Sequence, residues 1–579
     1  MKPLYEPSLI WRNQKLFEEL VQSLNQTGNL PFIITNSNAS VAMGSQYEQY
    51  SKVFNRKFKK RPAVIVVVES AGQVSTLVQF ANKHRDFVTL SVRSGGHDHE
   101  AECSATNSLL IDFSHMKSVK KANNGDFTVE GQHFVSIQPG AKFIDIKTIL
   151  DEYDLGIPHG SCASVGIAGF TMGGGWGPWT RKHGMACESL VGVKIVLGNG
   201  DIKEIYLNDE ISEEDKDILW ALRGGGGLSY GIVTEFFFKA FKLPSIAFTF
   251  LLKINQEAEF NIHGETISYN YDITALEAMK RWEDAIKPES TPLLMGTNFK
   301  LIAEHLAEGD EPDPQAYLKG EFVGTYAGSK DEVRGFIKNI FGDKALDVLK
   351  LVELKKHKPS NSTIDWHYDS WDRKAGDENG ITQYACDHTF HEVIVGGSGP
   401  APHKISSKVV SESGWCNDSR KQLICTLQSS LVPPDSDNGK KNGVEPFITL
   451  GAISGEYYGN YEQHKDLQGS AMPYKKRPFI IQFQAWWNTF LNPVNDIREE
   501  GGIEKMYFLN RHYSNQAEDW IQECRDTPIE HTNGSFISFK DSSIPTKTYF
   551  LDNYEKLKEI KLKLSKDENL LFRTRKTII

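Results

Sequence analysis

Phe87-Val88-Thr89-Leu90-Ser91-Val92-Arg93-Ser94-Gly95-Gly96-His97 is the stretch on which the fold turns. A β-prone run stops at paired glycines, so a strand feeds directly into a loop whose backbone N–H groups are open to a ligand. With Arg93 beside it, such a loop has the equipment to cradle a pyrophosphate. Just upstream, Pro62-Ala63-Val64-Ile65-Val66-Val67-Val68 reads as a buried strand, and Ser70 to His84 as an amphipathic helix. Alone, the Gly95-Gly96-His97 triplet is better explained as a tight turn with a surface histidine.

Working outward, Leu109 to Phe113 reads as a strand, another strand ends in Gln138-Pro139-Gly140-Ala141, and Phe143 to Asp151 reads as a helix. The tract Gly160-Ser161-Cys162-Ala163-Ser164-Val165-Gly166-Ile167-Ala168-Gly169-Phe170-Thr171-Met172-Gly173-Gly174-Gly175-Trp176-Gly177 holds too many glycines for helix or strand. Its backbone is expected to press against something flat or to take tight turns. Strands near Val191 to Leu197 and Ile232 to Phe238, the latter after Gly224 to Gly227, close an α+β region, 1–245. From 246 to about 530 longer alternating strands predict a second domain on an antiparallel sheet with one covered face. In Phe479-Ile480-Ile481-Gln482-Phe483-Gln484-Ala485-Trp486, period two puts Gln482, Gln484 and Trp486 on one face. That row is either a binding surface or a solvated face. Residues Lys355 to Lys408 read as loop, dense in His, Trp, Tyr and Asp. A first helix is expected from Trp11 to Leu24 and a last one from Asn553 to Leu564, with Leu570-Leu571-Phe572 docking the C-terminal segment, 531–579, back on the body.

At 579 residues the chain exceeds one compact core. Its 65 basic and 75 acidic residues leave a net charge of -10, which repels a phosphate backbone, so nucleic acid is not an expected partner. No apolar run is long enough to span a membrane, and Met1-Lys2-Pro3-Leu4-Tyr5 lacks a signal-peptide core, so a soluble protein, cytoplasmic or secreted in mature form, is expected. Seven cysteines without a CxxC pair argue against a zinc site, and no metal is expected.

Arg93-Ser94-Gly95-Gly96-His97, Leu110-Ile111-Asp112-Phe113-Ser114-His115-Met116, Gln138-Pro139-Gly140-Ala141, the glycine tract and Arg181-Lys182-His183-Gly184 occur in a telling order. Together with Tyr554 to Lys561 and Asn569 to Arg573, they resemble the berberine bridge enzyme-like group of the vanillyl-alcohol-oxidase superfamily. The resemblance implies an α+β fold: a PCMH-type FAD-binding domain of two α/β subdomains plus an antiparallel substrate domain. It implies FAD bonded through C8-methyl to His97 and through C6 to Cys162. Arg93, Ser94, Gly95, Gly96, Ser161, Val165, Gly166, Gly169, Gly173, Gly174, Gly175, Ile232 and Val233 are implied as further flavin contacts. The chemistry is sound, since neutral imidazole and thiolate are nucleophiles. A small residue at the Val165 position implies reaction with dioxygen.

Gly397-Ser398-Gly399-Pro400, Ile405-Ser406-Ser407-Lys408, Ile481-Gln482-Phe483-Gln484-Ala485-Trp486-Trp487 and the doubled glycine pair Gly224 to Gly227 most resemble the carbohydrate oxidases. A sugar site wants amides, hydroxyls and aromatic faces. The pattern breaks where the family's Tyr-x-Asn-Tyr motif, source of the catalytic base, becomes Phe536-Ile537-Ser538-Phe539. A family histidine is Phe170 here and a family tyrosine is Trp176. A hydroxyl proton still needs an acceptor, and His305, Tyr384, His388 and Glu456 are unranked candidates. The expected function is an FAD-dependent oxidase of a sugar-like or secondary-metabolite alcohol, using O2 and yielding hydrogen peroxide, with Gln482, Gln484 and Val165 at the reacting centre. Oxidation or cyclisation of an alkaloid or polyketide is the alternative, as is a flavoprotein that binds without turnover.

Overall fold

The computed structural model describes residues 14–36, 46–127, 133–262, 265–288, 291–354, 401–434, 444–461, 469–487, 502–564 and 571–578. Three sheets organise it. The first places β1 (Phe32–Thr35), β2 (Val64–Val67), β3 (Leu90–Arg93) and β4 (Leu109–Asp112) in the order β1-β2-β4-β3. β2 and β3 flank β4 in parallel, and β1 adds antiparallel. All four β2 residues are buried, as parallel strands covered on both faces must be. Helix α1 (Gln14–Asn25) and helix α2 (Ala71–Lys83) pack together, and the Ser70 side chain caps α2 by accepting from the Gln73 N–H. β3 starts at Leu90 and not at Phe87, because Phe87 projects into solvent at 57% exposure.

The second sheet is antiparallel throughout. β5 (Val119–Lys121), β6 (Phe134–Ile137), β7 (Leu190–Val196), β8 (Ile202–Tyr206) and β9 (Ile232–Lys239) take the order β5-β6-β9-β7-β8. Helix α3 (Phe143–Leu150) covers it. The glycine tract departs from its expected irregularity: Ile167–Met172 forms a short helix, α4, bounded by Gly166 and Gly173. Glycines crowd the ends of α4, and only Gly169 lies inside it.

The third sheet has seven antiparallel strands. β10 (Phe248–Ile254), β11 (Leu294–Ile302), β12 (Gly320–Tyr326), β13 (Leu349–Glu353), β14 (His403–Val409), β15 (Val444–Ala452) and β16 (Phe479–Trp487) take the order β13-β10-β12-β11-β15-β16-β14. Strand β14 falls where loop was expected, while residues 355–400, with Tyr384, His388 and Gly397 to Pro400, lie outside the described residues. Helices Ala275–Ile286, Lys330–Phe341, Asn417–Thr426 and Gly502–Asp526 bury one face of this sheet around Trp282, Phe299, Phe479 and Trp520. The other face turns toward the first two sheets. The C-terminal segment returns across the body: Ile537, Tyr549, Phe550, Leu557 and Ile560 join the core of the second sheet, and Phe572 joins that of the first. Among the described residues no helix is long and apolar enough to cross a membrane.

Candidate active site

A cavity of about 840 Å³ lies where the three sheets meet. Its floor is made by two glycine loops in direct contact. A Cβ on Gly95 would stand 2.3 Å from the Gly166 nitrogen, and one on Gly166 would stand 2.1 Å from Ser94 Oγ. Any side chain at either position would separate the loops, so glycine is required for their close approach. The contact brings His97 and Cys162 to the same cavity. His97 Nε2 lies 2.9 Å from Ser164 Oγ, and its ring stacks on Phe54 at 3.8 Å. Burial drives the His97 pKa well below 6.5, so the imidazole is neutral.

Of the residues assigned to the flavin by resemblance, Ser94, Gly95, Gly96, Ser161, Val165, Gly166, Gly169, Gly173, Ile232 and Val233 line the cavity. A Cβ at Gly169 would meet nothing within 4 Å, so this position opens onto the space. Arg93, Gly174 and Gly175 do not line it. The Arg93 guanidinium is spent on Asp112 at 2.6 Å and on the Lys52 carbonyl at 3.0 Å, which makes it a brace under the glycine loop. Gly174 and Gly175 have φ of 104° and 83° and pack against Phe536 and Phe170, respectively, so they serve a turn. A floor of glycine backbone with two nucleophilic side chains suits a flavin dinucleotide.

The third sheet supplies another wall. Gln482, Gln484 and Trp486 of β16 all reach the cavity and are each 8% exposed, whereas Phe479, Ile481, Phe483, Ala485 and Trp487 enter the core behind. Gln484 is fixed: its Nε2 donates to Thr449 Oγ1 at 3.1 Å and its Oε1 accepts from Trp486 Nε1 at 3.0 Å. Among the described residues none hydrogen-bonds the Gln482 amide. Lys253, Lys300 and Lys350 also reach the cavity, with Glu321 in cross-strand register with both Lys253 and Lys300.

Sequence reading missed a histidine pair of which His99 lines the cavity and His403 lies buried behind it. His99 Nδ1 lies 2.9 Å from His403 Nε2, and His403 Nδ1 lies 2.8 Å from the Ala401 carbonyl. Asn55, 1% exposed, clamps both backbones: its Nδ2 donates to the His99 and His403 carbonyls, and its Oδ1 accepts from the His403 N–H. His403 stacks on Trp486 at 4.0 Å, and the His99 ring lies 6.3 Å from Phe539. Phe536, Phe539, Phe170 and Trp176 all line the cavity, so the family's tyrosine and histidine positions are apolar wall here. Lys540 pairs with Asp98 at 2.7 Å and with Glu102 at 3.1 Å, and burial pushes the Cys103 thiol up to about 12.

The described base candidates lie elsewhere. His305 Nδ1 donates to the Val432 carbonyl at 2.7 Å, Glu456 pairs with Lys182, and neither lines the cavity.

Residues 62–206 match the family described as FAD binding domain, and residues 535–579 match berberine and berberine like. The chain is 32% identical over 207 residues to a chitooligosaccharide oxidase of Gibberella zeae, a match covering 35% of this chain and 39% of that protein. It is 22% identical over 528 residues to a glucooligosaccharide oxidase of Sarocladium strictum, covering 89% of this chain and 87% of that one. The solved glucooligosaccharide oxidase of Acremonium strictum, which carries a 6-S-cysteinyl, 8α-N1-histidyl FAD, superposes with a TM-score of 0.65 at 18% identity, over 96% of this chain and 98% of that one. The chain thus carries an FAD-binding domain and a berberine-like C-terminal segment, on the fold of the solved glucooligosaccharide oxidase.

Proposed function

We propose that this protein is an oxidase of carbohydrate alcohols with FAD bonded to both His97 and Cys162. The observation that carries the reading is the Gln482/Gln484/Trp486 row, turned into the same cavity as His97 and Cys162. Held in place by Thr449 and Trp486, Gln484 buttresses the wall, while the Gln482 amide has donor and acceptor groups to offer a sugar hydroxyl. The indole of Trp486 adds an apolar face.

When bound, FAD would supply the two-electron acceptor for the substrate hydride, with O2 as final acceptor and hydrogen peroxide as product. Val165, half-buried in the cavity wall, leaves room for a small oxidant. His97 is suited to attachment through Nδ1: when Nε2–H donates to Ser164 Oγ, the lone pair stays on Nδ1. The alkaloid alternative fares worse. Three lysines against one glutamate on the sheet wall repel a cationic amine.

Two measurements test the proposal. Acid precipitation of the purified protein should give a yellow pellet with flavin peptides at both His97 and Cys162, and a colourless pellet refutes attachment. A peroxide-coupled screen of mono- and oligosaccharides should find turnover; no peroxide from any sugar, with a reducible flavin present, rejects the carbohydrate reading.

A further inference from the structure

The proton acceptor of this reaction is unassigned, because Phe536 and Phe539 cannot take a proton. The tautomers of the histidine pair follow from its partners. A carbonyl only accepts, so His403 Nδ1, 2.8 Å from the Ala401 oxygen, carries the hydrogen. His403 is fully buried, and burial first, then the neighbouring His99, drives its pKa well below 6.5, so the ring is neutral and Nε2 holds a lone pair. His99 Nδ1, 2.9 Å away, must therefore donate. A neutral His99 then has its lone pair on Nε2, to which no described residue hydrogen-bonds. His99 reaches the cavity beside Phe539.

We propose that His99, held in its Nδ1–H tautomer by His403, is the group that accepts the substrate hydroxyl proton. The inference rests on the alcohol-oxidase reading above. In the step, the O–H bond breaks with its proton going to His99 Nε2. The C–H bond breaks with its electron pair leaving as hydride to the flavin, and the carbonyl forms. The resulting imidazolium is stabilised by Asp98 and Glu100, while Lys540 opposes it. Burial, the largest effect, pushes the His99 pKa down to about 4, so the acceptor form prevails at neutral pH. Of the other cavity-facing titratable groups near this loop, Asp98 and Glu102 pair with Lys540, His97 bonds Ser164, and burial keeps the Cys103 thiol protonated. His403 and Asn55 are positioning residues.

The tautomer is testable without turnover. In ¹⁵N-histidine-labelled, FAD-loaded protein at pH 7, the imidazole resonance lost in His99→Gln should show the Nδ1–H neutral pattern; an Nε2–H or doubly protonated pattern overturns the proposal. Rapid anaerobic mixing with each sugar that gives peroxide in the screen tests the chemistry. His99→Gln should slow flavin reduction about 10²- to 10⁴-fold, with both covalent links intact, and should abolish the fall in rate as pH drops through about 4. His403→Gln retains an acceptor for His99 Nδ1 and should keep most of the rate, whereas His403→Leu should lose it. Flavin reduction in His99→Gln equal to wild type overturns the assignment. If no sugar reduces the wild-type flavin, the carbohydrate reading fails instead, and the imidazole spectrum alone decides the tautomer.

Discussion

At His97 the hydrogen bond to Ser164 bears on which nitrogen is nucleophilic: Nδ1 keeps the lone pair when Nε2–H donates to the hydroxyl. Ser164 Oγ at 2.9 Å engages Nε2, and Ser164 sits on the same loop as Cys162, so one loop both contacts one of the proposed attachment residues and carries the other. Losing the bond should cost about 0.5–1.5 kcal/mol of tautomer bias, or about 2- to 10-fold in rate. In a Cys162→Ser background, where His97 alone can hold the cofactor, Ser164→Ala should slow the appearance of acid-stable flavin by that factor. An unchanged time course would show that the tautomer does not limit attachment. That His97, Cys162 and the paired glutamines reach one cavity was legible in sequence, since each sits in a local pattern: strand into glycines, a glycine tract, or alternation along one strand. The His99–His403 pair was not, because its partners are 304 positions apart and only the packing of β14 beside the glycine loop joins them. Arg93 misled for the opposite reason. A guanidinium beside a glycine loop looks like a phosphate ligand until a buried carboxylate, Asp112, is found to hold it.

Elements from distant parts of the chain are locked together through Lys404 of β14. Its ammonium, 3% exposed, lies 2.7 Å from Glu100, just past the glycine loop, and 3.0 Å from Asp541 of the C-terminal segment. Asp541 also pairs with Arg525 at 2.7 Å, at the end of the long helix over the third sheet. Burial alone would raise the Asp541 pKa, but Lys404 and Arg525 hold it below the usual carboxylate range. Removing one partner of a buried pair leaves an uncompensated charge, which costs about 3–5 kcal/mol. Lys404→Met should destabilise toward the lower end of that range, because Arg525 still faces Asp541, and should loosen the loop carrying His97 and His99. Lys194→Met, which removes a half-exposed partner of Glu204 on the second sheet, should cost less than about 1 kcal/mol. Urea midpoints of the two variants measure the contrast, and equal shifts would show that the network carries no structural weight. Nothing in the sequence marks Lys404, because a lysine in an alternating strand reads as a solvated residue until its face is seen to be buried.

For the whole molecule, buried neutral histidines make stability depend on pH. His159, 4% exposed, accepts from Trp179 Nε1 at 2.7 Å and donates through Nδ1 to the Gly160 carbonyl, which pins the start of the Cys162 loop. Burial lowers its pKa to about 3, and His403 is likewise held well below 6.5. In the unfolded chain both protonate as pH falls through 6.5, while in the folded protein His159 stays neutral down to about 3. Across that window the unfolded state binds more protons, so stability falls as pH falls. Each such group adds a slope of up to about 1.4 kcal/mol per pH unit. Below pH 3.8 the carboxylates of Asp98 and Asp541, whose folded pKa values are lowered, begin to protonate on unfolding and steepen the loss. Melting temperature should therefore drop steadily from pH 6.5 to pH 4. His159→Gln can keep both hydrogen bonds but cannot titrate, so its stability curve over this range should be shallower by about one proton's worth. A slope equal to wild type would mean that the acid sensitivity originates elsewhere. The same substitution should leave the acid-stable flavin at Cys162 in place, because it preserves the contacts that hold the loop and removes only the charge that acid would force into it.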